Sequence, residues 1–146
     1  MTIENMRMEH IAQIAKLEQL CFSDPWSEKS IASELENELA CWLVCMNEGR
    51  LSGYVGSQTV LGETDMMNVA VHPDDRRKGI AESLVIELIS QLKQRGSHSL
   101  TLEVRASNIP AQNLYKKLGF TQIGKRPRYY RNPREDALIL RKEWDI

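Results

Sequence analysis

The sequence predicts an α/β protein in which helices cover both faces of a mixed sheet. Apolar residues recur with the 3.6-residue period of a helix in four segments, and six other segments are rich in strand-forming residues. These segments follow one another in the order ααβββαβαββ, which indicates a sheet with interleaved helices. The 146 residues suit a single domain over positions 1–146, without a repeat or a linker.

Composition and charge indicate an ordinary globular chain and point to no particular partner. Hydrophobic residues make up 42% of the chain and charged residues 27%, and the formal net charge is -1. These values exclude a disordered chain and a chain that coats nucleic acid. The N-terminus carries Glu4, Arg7 and Glu9 where a secretory signal needs an apolar core. We therefore expect a cytoplasmic protein that does not bind a membrane.

The cysteines and histidines do not follow a metal-binding or disulfide spacing. There are three of each, and the cysteines form no C-x-x-C pair. We expect the cysteines to be small buried apolar side chains, and we expect no metal site. The six residues are Cys21, Cys41, Cys45, His10, His72 and His98.

Two helices open the chain. Residues 8–21 form an amphipathic pattern, and Asp24-Pro25 then breaks the chain before Ser27, which can cap a second, shorter helix over 28–39. In the first helix, the apolar positions are Ile11, Ile14, Ala15 and Leu20, and the polar positions between them are Glu9, Gln13, Lys16 and Glu18.

Three strands and a long helix follow. Residues 41–47 and 51–60 read as strands joined by a hairpin turn, and a third strand over 64–72 ends at His72-Pro73. The apolar stripe that begins at Ile80 predicts a helix that Gly96 terminates.

The last segments alternate in the same way. Residues 98–105 predict a strand, and Asn108 can cap a helix that Gly119 ends. Residues 120–126 and 136–144 predict two closing strands around a basic connection, "RPRYYRNPRE".

The stretch "DDRRKGIAESLV" at residues 74–85 places cations and a glycine at the start of the long helix. Free amide groups and the positive end of the helix dipole meet there, so the turn can bind an anion. Arg76, Arg77 and Lys78 favour a multiply charged group such as a pyrophosphate, and Gly79 lets it approach the backbone. A solvated charge cluster is the alternative. The glycine patterns of a P-loop or a dinucleotide site are missing.

This stretch resembles the acyl-coenzyme-A binding segment of the Gcn5-related N-acetyltransferases, whose pattern is [QR]-x-x-G-x-[GA]. The matching residues are Arg76, Gly79 and Ala81, and residues 100–120, "LTLEVRASNIPAQNLYKKLGF", match a second segment of the family. The order of elements also agrees, so the resemblance covers essentially the whole chain. It implies the mixed α/β fold of that family and acetyl-coenzyme A as cosubstrate.

Within the family, the chain is most similar to the bacterial ribosomal-protein alanine acetyltransferases of the RimI type. "CFSDPWS", "EVRASN" with "LYKKLGF", and "YYRNPREDALIL" carry this similarity. It implies acetylation of the α-amino group of an N-terminal alanine in small-subunit ribosomal protein eighteen. Two alternatives stay open: acetylation of another amine, such as a small molecule or an aminoacyl-tRNA, and a non-catalytic module that binds RNA or the ribosome.

The resemblance also implies two catalytic residues. Glu103 matches the family's general base, and the alternative is a strand glutamate paired with Arg105. Tyr115 matches the general acid, for which a phenol is suitable, and the alternative is a core aromatic residue.

Further contacts are implied for the coenzyme and the acceptor. Asn108 has two expected roles, since it can cap a helix and contact the coenzyme. We expect Trp26 and Tyr130 to shape the peptide pocket. The basic residues 125–134 could bind RNA or an acidic peptide, or lie in a solvated loop, and we do not expect direct nucleic-acid binding. The expected coenzyme contacts are Val69, Ala70, Val71, Arg76, Arg77, Lys78, Gly79, Ile80, Ala81, Glu82 and Asn108.

Overall fold

Seven strands and four α-helices make up the fold in a computed structural model that describes residues 1–145. The helices are α1 (Ile11–Cys21), α2 (Glu28–Ser33), α3 (Ile80–Gln94) and α4 (Ile109–Lys117). The strands are β1 (Thr2–Asn5), β2 (Ala40–Asn47), β3 (Arg50–Val60), β4 (Glu63–Val71), β5 (Ser99–Arg105), β6 (Thr121–Tyr130) and β7 (Glu135–Glu143).

All seven strands form one sheet in the order β1-β2-β3-β4-β5-β7-β6. Only β4 and β5 run parallel, and α3 connects them, while every other neighbouring pair is antiparallel. The predicted mixed sheet is therefore confirmed.

Helices cover both faces of this sheet, and each face has its own hydrophobic core. α1 and α2 pack over β2 to β4, around Trp42 and Tyr54. α3 and α4 pack on the opposite face, where Leu84, Leu88 and Leu92 are fully buried. The prediction of helices on both faces is confirmed.

The cysteines lie mostly where the sequence predicted them. Cys41 and Cys45 are buried on the α3 side of β2, and Cys21 is half-buried at the end of α1. Burial raises the pKa of all three thiols, so they remain protonated at neutral pH. Within residues 1–145, no helix is long and apolar enough to cross a membrane.

Strand β1 was not predicted. Its four residues contain one isoleucine, Ile3, which lies opposite Cys45 of β2. So short a segment shows no period, and its conformation depends on pairing with the edge of β2.

Two predicted boundaries differ from the structure. The second helix, predicted over 28–39, ends at Ser33 and continues only as a 3-10 turn over Glu34–Glu36. The basic connection before the last strand is shorter than predicted, because β6 extends to Tyr130 and leaves residues 131–134 as the turn. Within this pairing, the Asp136 carboxylate accepts a hydrogen bond from the main-chain amide of Arg128 at 2.8 Å, where the register shifts between Arg126 and Tyr130.

Candidate active site

The sheet opens between β4 and β5. These parallel strands pair only over residues 63–65 and 99–101. Beyond this point β4 stays paired with β3 up to Val71, while β5 stays paired with β7 up to Arg105. A register shift in the β3–β4 pairing leaves Met67 as an extra residue where the opening begins. The two parallel strands therefore separate beyond residues 65 and 101, and we call this opening the β4–β5 gap.

Side chains next to the gap lie on both faces of the sheet. Leu102 and Val104 of β5 belong to the core under α3 and α4, so Glu103 between them faces the side that carries α1. Asn68 of β4 faces the same side, since its amide contacts α1. Tyr115 of α4 belongs to the core on the opposite side. The carboxylate of Glu103 and the phenol of Tyr115 thus lie on opposite faces of the sheet.

Tyr115 reaches the gap from the α4 side. The residue is 3% exposed, its ring packs edge-on against Phe120 with centroids 5.4 Å apart, and its hydroxyl lies 3.9 Å from the sulfur of Met66. Burial raises the pKa of the phenol well above its usual value. The ring is therefore part of the core, as the alternative predicted. The hydroxyl lies beside Met66, the first residue of β4 beyond the segment that pairs with β5.

Glu103 is partly exposed on the other face. Its carboxylate oxygen lies 3.6 Å from Nε of Arg126, and its side chain is 25% exposed. The alternative pairing with Arg105 is wrong, because that guanidinium donates to main-chain carbonyls of the 131–134 turn and lies 4.4 Å from the ring centroid of Tyr130. Burial, together with the negative charge of Glu103, raises the pKa of Tyr130 to about 12.

The predicted anion-binding turn lies between the end of β4 and the start of α3. Gly79 precedes α3 with φ +75°, and Arg77 also has a positive φ of 65°. A Cβ placed on Gly79 would have no heavy atom within 4 Å, so the main chain there is accessible. The first amides of α3 have no partner inside the helix. The basic turn, residues 76–79, therefore has the backbone geometry of an anion site.

More of the charged side chains in this turn form ion pairs or hydrogen bonds within the protein than the sequence indicated. Asp75 is 3% exposed and binds both Lys78, at 3.3 Å, and Arg50, at 2.6 Å. Arg76 donates to the carbonyl of Val71 at 3.3 Å. Among the residues described, Arg77 forms no hydrogen bond or ion pair with another side chain, so its charge is available to a ligand.

The remaining predicted coenzyme residues lie on β4, in the first turn of α3 and at the start of α4. Asn108 caps α4 by accepting from the main-chain amide of Ala111 at 3.2 Å, which confirms the predicted cap. Ile80 is buried in the first turn of α3, and Glu82 in the same turn binds Lys117 at 3.1 Å. The predicted residues of β4 lie beyond the segment that pairs with β5, and they are Val69, Ala70 and Val71.

One carboxylate that was predicted on the polar side of its helix is buried beside the gap. Glu18, predicted on the polar side of α1, is 1% exposed, whereas Leu20, predicted inside, is 58% exposed. Position 18 follows Ile11 and Ile14 at the spacing of one helical stripe, and this signal could have identified it. The Glu18 carboxylate accepts from the main-chain amide of Trp26 at 2.8 Å.

One group of metal-type ligands lies elsewhere. Glu4, Glu9 and His10 place their ligand atoms within 4.8 Å of one another near the N-terminus. Arg7 binds both carboxylates, at 2.7 and 2.6 Å, so the cluster is an ion-pair network.

Comparison with known proteins gives the family. The family model described as "Acetyltransferase (GNAT) family" matches residues 11–120. A relative from Bacillus subtilis is 39% identical over 139 residues, covering 94% of this chain and 92% of that protein. The [ribosomal protein bS18]-alanine N-acetyltransferase of Escherichia coli is 37% identical over 141 residues, covering 95% of each chain.

Solved structures agree with the sequence match. The crystal structure of the ribosomal-protein-S18-alanine N-acetyltransferase from Escherichia coli superposes with a TM-score of 0.90 at 35% identity, covering 99% of this chain and 94% of that one. Ard1 from Thermoplasma volcanium shares the fold, with a TM-score of 0.89 at 22% identity, covering 99% and 98% of the two chains. This chain therefore belongs to the GNAT family, whose acetyltransferases take their acetyl group from acetyl-coenzyme A.

Proposed function

We propose that this enzyme acetylates the α-amino group of the N-terminal alanine of ribosomal protein bS18. The relative from Escherichia coli carries that activity in its name and aligns with 95% of this chain. The structural observation that supports the proposal best is the β4–β5 gap, beside which Glu103 and the hydroxyl of Tyr115 lie on opposite faces of the sheet. On this proposal the enzyme works in the cytoplasm, where ribosomes are assembled.

An N-terminal amine suits this chemistry at neutral pH. Its pKa is about 7.7 to 8.0 and that of lysine about 10.4, so at pH 7 it is neutral roughly a few hundred times as often. A single carboxylate can remove the remaining proton without strong activation.

Glu103 is the residue we assign as general base. Its partly exposed carboxylate can reach the acceptor directly or through one water. Arg126 approaches at 3.6 Å, which is too long for a strong hydrogen bond and leaves the oxygen lone pairs available.

Tyr115 is the residue we assign as general acid. A phenol is protonated at neutral pH, and burial raises the pKa of Tyr115 further, so its proton is present when the thiolate departs. Within residues 1–145, its hydroxyl has only the Met66 thioether as a partner, at 3.9 Å, and a thioether is a weak acceptor. The proton is therefore not committed to a strong internal bond.

The basic turn and the gap fit acetyl-coenzyme A. When bound, this cosubstrate supplies a thioester, whose carbonyl carbon the amine attacks. We assign its diphosphate to the free amides at the start of α3 and to Arg77, with the open Gly79 allowing close approach. The edge of β4 at 69–71 that is not paired with β5 can donate and accept hydrogen bonds along an amide-containing arm, and we assign a further contact to Asn108 at the start of α4.

Trp26 and Tyr130 are the residues we assign to the acceptor pocket. Trp26 is held by its main-chain bond to Glu18 and by the ring of Trp42, whose centroid is 5.4 Å away. Tyr130 lies under Arg105 and close enough to Glu103 for that charge to affect its pKa.

The test is intact-mass measurement of purified small-subunit ribosomal proteins after incubation with the enzyme and acetyl-coenzyme A. The expected result is one added acetyl group on bS18 alone, located by peptide mapping at its N-terminal alanine. A bS18 variant that begins with proline is the control, because its secondary amine should not be acetylated. Acetylation of lysine side chains only, or of no ribosomal protein, would contradict the proposal and favour a different amine as acceptor.

A further inference from the structure

One buried carboxylate joins the acceptor side of the structure to the gap. Glu18 lies in the last turn of α1 and is the most deeply buried acid that the catalytic assignment does not use. Both of its oxygens accept hydrogen bonds, and the donors come from three separate segments of the chain. They are Trp26 N at 2.8 Å, Asn68 Nδ2 at 2.7 Å and the hydroxyl of Tyr54.

Each donor has a distinct place in the site. Trp26 belongs to the loop between α1 and α2, residues 22–27, which we call the acceptor loop. Asn68 lies three residues beyond the last β4 position that pairs with β5, so its main chain borders the gap. Tyr54 lies on β3, opposite Ala70 of β4. Glu18 therefore fixes the loop relative to the open edge of β4.

Aromatic packing supports the same contact from the loop side. The Trp26 ring meets Trp42 edge-on at 5.4 Å, and Trp42 stacks on Tyr54 with centroids 5.8 Å apart. Trp42 also lies directly on the backbone of Gly56, where an added Cβ would be 2.4 Å from its ring. These rings bring the loop to the sheet, and the Glu18 bonds set its position there.

The chemistry of the side chain explains why a carboxylate is suitable at this position. Burial raises the pKa of Glu18, whereas its three hydrogen bonds favour the ionised form, in which two oxygens offer about four lone-pair sites and can accept three bonds at once. An amide has one acceptor oxygen, and a glutamine would leave at least one buried donor without a partner. Among the residues described, none of the three hydrogen-bond partners is a cation, so the group is not part of an ion pair.

We propose that Glu18 is a positioning residue for the acceptor amine: it fixes the acceptor loop against Asn68 so that an N-terminus entering beside Trp26 meets the gap opposite Glu103. This inference rests on the proposed function. It predicts that loss of the Glu18–Asn68 contact weakens acceptor binding and leaves coenzyme binding intact, because the basic turn lies on another segment.

The test compares Glu18→Ala and Asn68→Ala with the wild type, using a synthetic alanine-initiated peptide and acetyl-coenzyme A. Both variants should raise KM for the peptide about tenfold, the loss expected for a hydrogen bond to a charged group, while KM for acetyl-coenzyme A changes less than about twofold. Hydrogen exchange at residues 22–27 should be faster in both variants.

Thr64→Ala is the control for general destabilisation. Thr64 is also buried, at 1% exposure, and its hydroxyl shares hydrogen bonds of 2.7 Å with the hydroxyls of Thr59 and Ser97. It lies in the part of β4 that is still paired with β5, opposite Leu100. Its loss should lower thermal stability but leave KM for the peptide within about twofold.

The outcomes separate the two proposals. If the wild type does not acetylate the peptide, the proposed function is wrong and Glu18 has no acceptor to position. If the wild type is active and both variants keep the wild-type KM for the peptide, only the positioning role is overturned. An equal rise in KM for Thr64→Ala would also overturn it, since general destabilisation would then explain the effect. If Glu18→Ala does not fold, KM of Asn68→Ala for the peptide decides the question alone, because Asn68 is only half-buried.

Discussion

Glu103 and Tyr115 lie on opposite faces of one sheet, both beside the β4–β5 gap. Glu103 lies on β5 between two residues of the α3 core and faces away from it, whereas Tyr115 is buried in that core. A base and an acid on opposite faces can act on opposite ends of a reaction, one on the entering amine and one on the departing thiolate. They can do so without neutralising each other.

Replacing Glu103 with glutamine should slow acetyl transfer and leave both substrates able to bind. We expect kcat at pH 7 to fall by about 10² to 10⁴, the usual range for loss of a general base. The deficit should shrink as the pH rises past about 8, because the acceptor amine then loses its own proton. The measurement is kcat against pH for the purified variant. Glu143→Gln, an exposed strand glutamate that also binds an arginine, is the control and should keep wild-type activity.

Replacing Tyr115 with phenylalanine tests the proposed acid with little disturbance of the fold. The hydroxyl makes one long contact with Met66, so the free energy of unfolding in urea should change by less than about 1 kcal/mol. We expect kcat to fall by about 10² or more while KM for acetyl-coenzyme A stays the same. Tyr129→Phe, at an exposed position, is the matched control. A fully active Tyr115→Phe enzyme would show that the thiolate takes its proton from water.

Replacing Arg77 with glutamine tests the basic turn. Arg77 is the exposed cation there that has no internal side-chain partner within residues 1–145, so its charge should act on the coenzyme. We expect KM for acetyl-coenzyme A to rise by about three- to tenfold, and peptide KM to stay constant. The salt dependence of coenzyme binding should also weaken, since exposed charges are screened. Lys116→Gln, an exposed charge on α4, is the control.

The sequence predicted more of the features that we assign to the coenzyme than of those that we assign to the acceptor, for a physical reason. The basic turn, the α3 stripe and the Asn108 cap are local features, and adjacent residues determine them. The bonds of Glu18 join residues up to 50 positions apart, which no local pattern can show. Its helical spacing did indicate burial, but a charged residue type favoured the polar side.

The charge balance of the basic turn also depends on distant residues. The sequence presents Arg76, Arg77 and Lys78 as three equivalent cations, but Asp75 folds inward and binds Lys78. Arg50, at the start of β3, binds the same carboxylate. The pairing follows from the burial of Asp75 under the turn, which depends on how β3 and β4 pack.

Asp75 should therefore make the stability of the enzyme depend on acid pH. Burial of the carboxyl raises its pKa, but the hydrogen bond from Lys78 and the charge of Arg50 outweigh burial, so the pKa lies below its ordinary value of 3.8. A lowered pKa means that the ion pairs stabilise the fold above that ordinary value. This contribution is lost as the pH falls through the pKa of the folded state.

The measurement is urea unfolding of the wild type and Asp75→Asn at several pH values. The wild type should be the more stable protein at pH 7, and the difference should narrow below about pH 4 as Asp75 takes up its proton. Asp74→Asn is the matched control, because that neighbouring carboxylate is 79% exposed and should change stability little at any pH. A difference that stays constant down to the lowest pH would mean that Asp75 acts through hydrogen bonding alone.

Loss of the Asp75 charge should also release Lys78 from its ion pair with this residue. KM for acetyl-coenzyme A should therefore change in Asp75→Asn and remain unchanged in Asp74→Asn.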